Sequence, residues 1–346
     1  MNYEIVEPGL GLACASAWNA CLDSSRFATH YTGPEFLDEA YFRDKRPFAI
    51  LATDAATVKG VVTGFFENYD MRCGDPGSPH LCIRHDADVV AVSTTLAAAL
   101  RAHAGRNTAF ISASSWVEIP ALQVAGFRGK VVNPPLCTIL LDLSKSKDEL
   151  FRACSETRRN KIRRAIKAGV DVREMDVDKD FDNYYQLYRD WSEERNVPYQ
   201  PYGLQRSVFE KKGNRLALVA RHEGRMIGVS TFRYRRKGLV EYAANVSRRE
   251  ETRARQNDLL LWRGIEWAVE QGCFTGFSMA GSHFFLQKFG GVTQVTWQYS
   301  LDRTILRSRH MRESARDGAM RFYKRLPAGI QQRVKKVLRR SGGEAD

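Results

Sequence analysis

The clearest pattern of apolar and polar positions in this chain occurs twice. The apolar run 49–52 is followed, after a polar turn, by a second run at 60–63, and the runs 217–220 and 228–231 repeat this spacing 168 residues later. Two short apolar runs on either side of a polar turn predict a β-hairpin. The pattern therefore predicts two equivalent hairpins in distant parts of the chain.

A second match supports an internal duplication. The segment 122–127 (LQVAGF) is similar to 286–291 (LQKFGG), at an offset of 164 residues. Two independent matches at nearly the same offset are typical of a duplicated unit. Each copy is predicted to contain a helical region, the hairpin, a central strand, a helix, a strand, a short helix ending in Gly and a last strand. This order predicts an α/β protein (an α+β mixed sheet with helices on its faces) in two tandem copies.

Periodicity locates individual elements in the second copy. Apolar residues recur at helical spacing over Phe181–Trp191, and those of Leu261–Val269 predict a helix that stops near Gly272. A strand at 138–143 and a capping box at Ser146–Glu149, which opens a helix, precede them. Further strands are expected at 216–220, 226–234, 239–246 and 295–301. We therefore divide the chain into an N-terminal unit at 1–137, a C-terminal unit at 138–302 and a basic helical tail at 303–346.

Charge is concentrated in two short segments. The net charge is +13, and residues 303–340 alone carry thirteen Lys and Arg residues against two acids. Residues 158–167 carry six basic residues and no acid. The basicity therefore belongs to two local patches rather than to the whole surface.

The tail allows more than one interpretation. In 326–340, apolar residues fall on one helical face and basic residues around the other, as in an amphipathic helix on an anionic membrane. Docking of the apolar stripe on the protein itself and contact with nucleic acid are the alternatives.

Cysteine usage and hydropathy indicate a cytoplasmic protein. The seven cysteines are scattered and odd in number, which is typical of reduced thiols. No signal peptide is visible at the start of the chain. The longest mostly apolar stretch, 89–100, is shorter than the roughly 20 residues that a membrane span requires. We expect cytoplasmic localisation, with peripheral contact at the inner face of the membrane through the tail as an option.

Two segments resemble a known family. Residues 144–174 contain a basic helix of the form RR-x-K-I-R-x-A that is closed by Ala-Gly and a strand, and residues 276–291 read GFSMAGSHFFLQKFGG. Both are similar to segments of FemAB-like proteins, which have two GNAT-fold domains in tandem. The resemblance implies transfer of an acyl or aminoacyl group to an amine. It also implies acyl-CoA or aminoacyl-tRNA as co-substrate, with no tightly bound cofactor.

One segment departs from this resemblance. A CoA-using GNAT domain normally has a Gly-rich turn after its central strand, where backbone N–H groups meet the pyrophosphate at a helix start. The corresponding residues 247–260 contain no glycine. Either Arg253 and Arg255 replace that backbone cradle, or CoA is not bound there.

Three residues are candidates for catalysis. Lys288 lies where the resemblance implies a functional lysine, and it could hold a phosphate or stabilise negative charge. Glu241 lies on the expected central strand, with Tyr242 on the opposite face, and its carboxylate could remove a proton from the attacking amine. His283 could transfer protons in the same cleft. The alternatives are a solvated lysine, an exposed glutamate and a helix-capping histidine.

The basic helix is the candidate phosphate-binding element. Like charges on one helix repel each other, so a run without acids favours a phosphate-rich partner such as tRNA, a nucleotide-linked sugar or a lipid pyrophosphate. The alternative is a solvated face. The candidate substrate- and phosphate-binding residues are Arg158, Arg159, Lys161, Arg163, Arg164, Arg253 and Arg255.

Other functional classes have little support in the sequence. Cys73, His80, Cys82 and His85 lie close together, but their spacing fits no common zinc pattern, and we expect no metal. Neither a Gly-x-Ser-x-Gly motif nor a P-loop is present, which argues against a serine hydrolase or an NTPase. The sequence favours an N-acyltransferase acting on an anionic cell-envelope or polysaccharide precursor. An aminoacyl-tRNA-dependent peptidoglycan peptide-bridge ligase and a non-catalytic module that binds an anionic polymer or membrane are the alternatives.

Overall fold

The computed structural model describes residues 1–9, 11–134, 136–248 and 254–325. The strands are β1 Asn2–Val6, β2 Pro47–Asp54, β3 Thr57–Glu67, β4 Asp70–Cys73, β5 Leu81–Ile83, β6 Phe110–Ser115, β7 Arg128–Val132, β8 Thr138–Asp142, β9 Asp171–Glu174, β10 Arg215–His222, β11 Arg225–Tyr234, β12 Leu239–Ser247, β13 Gly276–Ser278, β14 Val292–Gln294 and β15 Thr296–Asp302. The helices are α1 Gly11–Asp23, α2 Val89–His103, α3 Pro120–Val124, α4 Lys147–Ala153, α5 Glu156–Lys167, α6 Val177–Glu193, α7 Tyr202–Glu210, α8 Gln256–Gln271, α9 Phe284–Gln287 and α10 Ser308–Arg325.

These strands form two mixed sheets with matching topology. The first has the order β1-β2-β3-β4-β6-β15-β7, with β5 also paired to β3, and the second has the order β14-β8-β13-β12-β11-β10-β9. When the second order is reversed, β9 to β13 correspond to β1, β2, β3, β4 and β6. In both sheets the fourth strand runs parallel to the fifth and is joined to it through a helix, α2 or α8. The predicted tandem α/β architecture is confirmed.

The two predicted hairpins occupy equivalent positions. β2 pairs antiparallel with β3, and β10 pairs antiparallel with β11. The register slips by one residue at corresponding points, after Ala52 in the first hairpin and after Ala220 in the second. A shared bulge at the same offset of 168 residues is a structural trace of the duplication, since bulges are specific local features of a strand pair.

One strand differs from the expected organisation. Residues 296–302, assigned from the sequence to the C-terminal unit, form β15, which lies between β6 and β7 of the first sheet. Likewise, β8 lies between β13 and β14 of the second sheet. The alternation of apolar and polar residues correctly predicted a strand here, and Tyr299 is fully buried. The Tyr299 ring, however, lies in the core of the N-terminal unit. β8 and β15 therefore occupy equivalent positions in the two sheets, but only β15 lies in the sheet of the other unit.

Local signals in the sequence match the observed boundaries. The Ser146 hydroxyl accepts a hydrogen bond from the backbone of Glu149, whose carboxylate accepts one in return, and this capping box opens α4. Helix α8 ends at Gly272, whose φ of +63° is a conformation that glycine adopts without steric cost. The aromatic residues of Phe181–Trp191 lie on α6, as their spacing predicts.

Each sheet has a hydrophobic core on both faces. In the second sheet, α5, α8 and α9 cover one face, and α6 and α7 cover the other. In the first sheet, α2 and α3 cover one face, and α1 with short 3-10 turns covers the other. The 3-10 turn His30–Thr32 and the turn Ala40–Lys45 contact the second unit at β12 and α7. The polar boundary between the units is therefore close to the central strand of the second sheet.

The C-terminal part of the chain is described only in part. Helix α10 contacts β15, while the segment 326–340, for which membrane contact was one of the interpretations, lies outside the described residues. Among the helices that are described, none combines the length and the apolar character of a membrane span.

Candidate functional site

The central strand of the second sheet is open along one edge. β12 pairs with the parallel strand β13 only over Leu239–Glu241, although it continues beside β11 to Ser247. Opposite β11, the register skips Ala243, which forms a bulge. Ala243 and Ala244 are exposed. Beyond Glu241 the two parallel strands therefore separate, and a stretch of backbone faces a wedge-shaped opening.

A cavity of about 280 Å³ lies against this stretch, on the face of the sheet covered by α6 and α7. Its floor includes Ala243 and Ala244, and two guanidinium groups, those of Arg215 and Arg233, lie at the boundary between the units. Its aromatic lining comes from both units: Tyr31, Tyr41, Tyr184, Tyr188, Trp191, Phe209 and Phe232. A concave site with an apolar body and a few polar groups is typical of a small-molecule pocket.

A hydrogen-bond chain holds the two walls of the cavity together. The hydroxyl of Tyr41 in the N-terminal unit donates to Oε1 of Gln205 at 2.7 Å, and Nε2 of Gln205 donates to the hydroxyl of Tyr184 at 2.6 Å. Gln205 and Tyr184 are buried. The shape of the cavity therefore depends on the contact between the units.

Glu241 lies on the cavity side of β12, at the boundary between the units. Its strand neighbour Val240 belongs to the core on the α8 face, so alternation directs the carboxylate to the other face. The carboxylate is buried, Oε1 accepts a hydrogen bond from the Ser78 hydroxyl at 3.0 Å, and Oε2 has no partner among the described residues. Burial raises the pKa of Glu241 to about 7, against the hydrogen bond from Ser78 and the charge of Arg233. Glu241 does not itself line the cavity, but Arg233, its partner in the β11–β12 register, does.

Sequence reasoning missed a buried polar cluster next to Glu241. Nε2 of His30 lies 2.7 Å from Oε1 of Glu39, and the same carboxylate forms an ion pair with Arg215 of the second unit. Burial lowers the pKa of His30 to about 4, so the ring is neutral and its Nε2–H donates to the carboxylate. Burial opposes ionisation of Glu39, but the hydrogen bond from His30 and the charge of Arg215 outweigh it and lower its pKa. No local pattern could reveal this cluster, because Arg215 is far from His30 and Glu39 in the sequence.

His283 and Lys288 lie apart from the Glu241 carboxylate. His283 is exposed at the N-terminal end of α9, and Lys288 at its C-terminal end has its ammonium 4.7 Å from the ring centroid of Phe284. Helix α9 packs on the α8 side of the sheet through Leu286. Within the described residues, no contact joins Glu241 to either side chain.

Arg158 is part of the protein core, which favours a structural role over the predicted phosphate contact. Its side chain is 4% exposed and forms an ion pair with Asp258 of α8. The guanidinium carbon lies 4.1 Å from the ring centroid of Phe285 and 4.8 Å from that of Phe289, and Nη2 donates to the Phe285 carbonyl at 3.0 Å. Planar stacking and a carboxylate partner satisfy a buried guanidinium. Nε of Arg158 has no hydrogen-bond partner among the described residues, so the predicted phosphate contact stays untested.

The other cations of α5 have different surroundings. Arg159 donates to backbone carbonyls of Arg152 and Cys154, and Arg163 lies 5.4 Å from the ring centroid of Phe151. Arg164 is exposed. These surroundings neither support nor contradict phosphate binding by Arg159, Arg163 and Arg164.

Lys161 and Arg255 lie close together at the start of α8. Burial, together with the positive charges of Arg158 and Arg255, lowers the pKa of Lys161. Arg255 occupies the N-cap position of α8 in a left-handed conformation (φ +58°), and no side chain caps the helix there. An uncapped helix N-terminus beside two cations favours an anion. Arg253, the other candidate in this segment, lies outside the described residues.

Across 1–9, 11–134, 136–248 and 254–325, no group of three or more His, Cys, Asp or Glu residues is placed to hold a metal ion. Of the four residues grouped by the sequence, Cys73, His80 and Cys82 are buried, and Nδ1 of His85 donates to the Ser24 carbonyl at 2.6 Å.

Comparison with known proteins agrees with this geometry. Residues 155–285 match the family model described as acetyltransferase (GNAT) domain. The matched residues include α5, α8 and the two strands that separate, β12 and β13. No curated protein matches the sequence.

Solved structures resemble nearly the whole chain. FemX is similar with a TM-score of 0.63 and 12% identity over 86% of this chain and 97% of its own. The C-terminal domain of a putative lysylphosphatidylglycerol synthetase from Agrobacterium fabrum gives 0.57 and 10% over 88% and 96%. A tandem GNAT protein from the clavulanic acid biosynthesis pathway gives 0.55 and 11% over 88% and 99%. At such identities the likeness shows the fold alone: residues 155–285 are similar to an acetyltransferase (GNAT) domain, and nearly the whole chain has the fold seen in FemX and in the tandem GNAT protein.

Proposed function

We propose that this protein is an N-acyltransferase that moves an acyl or aminoacyl group from a thioester or ester donor to the amine of a cell-envelope or polysaccharide precursor. The observation that carries the proposal is the separation of β12 from β13 beyond Glu241. The exposed edge of β12 can hydrogen-bond an extended donor arm as a strand would. The acetyltransferase domain match covers this opening, and the aromatic cavity lies next to it.

The donor phosphate is proposed to bind at the start of α8. Lys161 and Arg255 supply positive charge there, and the first turn of α8 supplies backbone N–H groups. Arg255 adopts the left-handed conformation in a turn that lacks glycine, so a side-chain cation stands where related domains are expected to have a Gly-rich backbone. Both CoA and tRNA carry phosphate, so this site suits either donor.

The acceptor is proposed to occupy the cavity between the units. Aromatic side chains such as Tyr184, Tyr188 and Trp191 provide flat apolar surfaces for sugar rings, and Arg233 provides a contact for an anionic group. This is consistent with an amine-bearing precursor that carries a sugar and a phosphate.

The reaction is proposed to be direct attack. The amine nitrogen forms a bond to the donor carbonyl carbon, the C–S or C–O bond breaks, and the thiol or ribose hydroxyl leaves with a proton. Glu241, whose pKa is near neutral, is the proposed acceptor of the amine proton. Backbone N–H groups on the open edge of β12 would stabilise the tetrahedral oxyanion. Lys288 is proposed to add a phosphate contact and His283 a proton relay.

A donor screen with the full-length chain tests the proposal. Purified protein is incubated with acyl-CoAs or aminoacyl-tRNAs and with nucleotide-linked amino sugars, and free thiol, deacylated tRNA and acylated product are measured. The double variant Lys161→Ala/Arg255→Ala is expected to raise KM for the donor at least about tenfold, through loss of two phosphate contacts. Lys167→Ala, at an exposed position of the same helix, is the matched control.

The outcomes separate the proposals. Turnover with one donor class identifies the donor, and loss of turnover in Glu241→Gln, with retained donor binding, supports the catalytic base. Partner binding without turnover on any donor would support a binding module and refute the enzyme. An unchanged donor KM in the double variant would refute the phosphate site alone.

A further inference from the structure

Helix α10 has polar residues on the side that contacts the N-terminal unit and large apolar residues at exposed positions. Its contacts with the N-terminal unit include polar ones: Glu313 forms an ion pair with Lys130, and the Ser314 hydroxyl accepts a hydrogen bond from Arg128 at 3.0 Å. Two of its large apolar side chains are exposed. Met311 is 62% exposed and Phe322 is 68% exposed. These two residues are eleven positions apart, close to three helical turns, so they lie on one face of the helix.

The turn before this helix extends the apolar surface. Ile305 is 88% exposed and Leu306 is 82% exposed. Leu306 and Arg307 have φ angles of +57° and +50°, a region that is unfavourable for side chains other than glycine. Two adjacent aliphatic side chains are thus held in water on a strained turn, and strain of this kind is commonly associated with function.

Positive charge accompanies these apolar side chains. The described residues 303–325 contain eight Lys and Arg residues and two acids. One of the acids, Glu313, is already paired with Lys130, and Arg309 is paired with Asp70. Arg307, Arg312 and Arg316 are exposed, and no ion pair joins them to another described residue. The surface therefore combines protruding apolar groups with unneutralised cations.

We propose that Ile305, Leu306, Met311 and Phe322, with the neighbouring arginines, form a surface that docks on an anionic lipid bilayer. A bilayer interface accepts protruding apolar side chains without a complementary pocket, and its negative headgroups attract the arginines. A second copy of the chain would bring cations against cations, and a nucleic acid would leave the aliphatic side chains in water. This surface is separate from the catalytic site, so the inference does not depend on the proposed reaction.

Vesicle cosedimentation of the full-length chain tests the inference. Binding is expected to phosphatidylcholine vesicles that contain phosphatidylglycerol, to weaken as salt is added, and to be weak with phosphatidylcholine alone. Serine at all four positions (Ile305, Leu306, Met311 and Phe322) is expected to lower the partition coefficient at least about tenfold, since the apolar insertion is lost. The double variant Val90→Ser/Val124→Ser is the control, because both valines are exposed on a different surface of the molecule.

Two results would overturn the inference. Absence of binding to the anionic vesicles would do so directly. Equal binding of the fourfold serine variant and the unaltered chain would assign any membrane contact to another segment. Circular dichroism and thermal melting establish that each variant is folded, and all four substitutions are at exposed positions where they should cost little stability.

Discussion

Burial of the Glu241 carboxylate should make the stability of this protein depend on pH in a defined direction. The carboxylate is buried, receives a hydrogen bond from the Ser78 hydroxyl and has one oxygen without a partner in the described structure. Burial raises its pKa from 4.5 to about 7. Between these values the native protein holds a proton that the unfolded chain has released, so the free energy of unfolding falls as pH rises. Below about pH 4.5 the carboxyl group is protonated in both the native and the unfolded state, so burial adds no cost of ionisation. Above about pH 7 the free-energy cost of burying the charged carboxylate is fully present.

The magnitude follows from the shift. One unit of pKa corresponds to about 1.4 kcal/mol, so a change of this size costs roughly 3 kcal/mol between about pH 4.5 and pH 8. Glu241→Gln removes the ionisation and keeps the side-chain shape. Its amide nitrogen would lack a partner where Oε2 now lies, and this adds a cost of about 1–3 kcal/mol that does not change with pH. The informative quantity is therefore the change with pH in the stability difference between the variant and the wild type.

Urea unfolding at pH 4.5, 6 and 8 measures this difference. Relative to wild type, Glu241→Gln should gain roughly 2–3 kcal/mol from the lowest to the highest pH. Glu118→Gln, at an exposed position, is the control for loss of a carboxylate. A stability difference that stays constant across this range would mean that Glu241 ionises as easily in the native state as in the unfolded chain. The buried general base would then be refuted on physical grounds.

Three further substitutions test packing and local structure through urea unfolding. Arg158→Ala should cost about 3–5 kcal/mol, because it leaves the buried Asp258 carboxylate unpaired, and a smaller loss would contradict the core assignment of the pair. Gly264→Ala should cost about 1–3 kcal/mol, because a Cβ there would lie 2.2 Å from the Phe232 ring, and a neutral result would mean that α8 can move off the sheet. Ser146→Ala should cost about 1 kcal/mol through loss of the α4 cap, whereas Ser146→Thr should retain most of it.

Local signals predicted the elements of the fold well. Capping, helical spacing and alternation depend on neighbouring residues, so the boundaries of α4, α6 and α8 could be predicted from the sequence. The duplication was visible because both hairpins retain the same apolar spacing. The partner of a strand is a non-local property, and alternation in β15 shows only that one face is buried, not which sheet buries it.

The candidate site was less predictable for the same reason. The run of cations on α5 indicated a charged face, but the burial of Arg158 depends on Asp258 and on two phenylalanines more than 100 residues away. Glu241 could be selected from its place on the central strand. The environment of Glu241 could not be predicted, because Ser78 and the His30–Glu39 pair come from the other unit.

The position of β15 between β6 and β7 implies that the N-terminal unit is not complete alone. A chain cut between residues 137 and 138 leaves the N-terminal fragment without β15, which pairs with β6 on one side and β7 on the other. The fragment also loses Tyr299, whose buried ring fills the core and whose hydroxyl accepts a hydrogen bond from the Ile119 backbone at 2.6 Å.

We therefore expect fragment 1–137 to aggregate when it is expressed alone, because β6 and β7 would each expose an unpaired edge. Co-expression with fragment 138–346 should restore a soluble complex that copurifies, since β15 can then pair in trans. Deletion of 296–302 from the second fragment should abolish this rescue, whereas deletion of the more distal 341–346 should leave it intact. Cooperative unfolding of fragment 1–137 as a soluble monomer would show instead that the first sheet closes without β15.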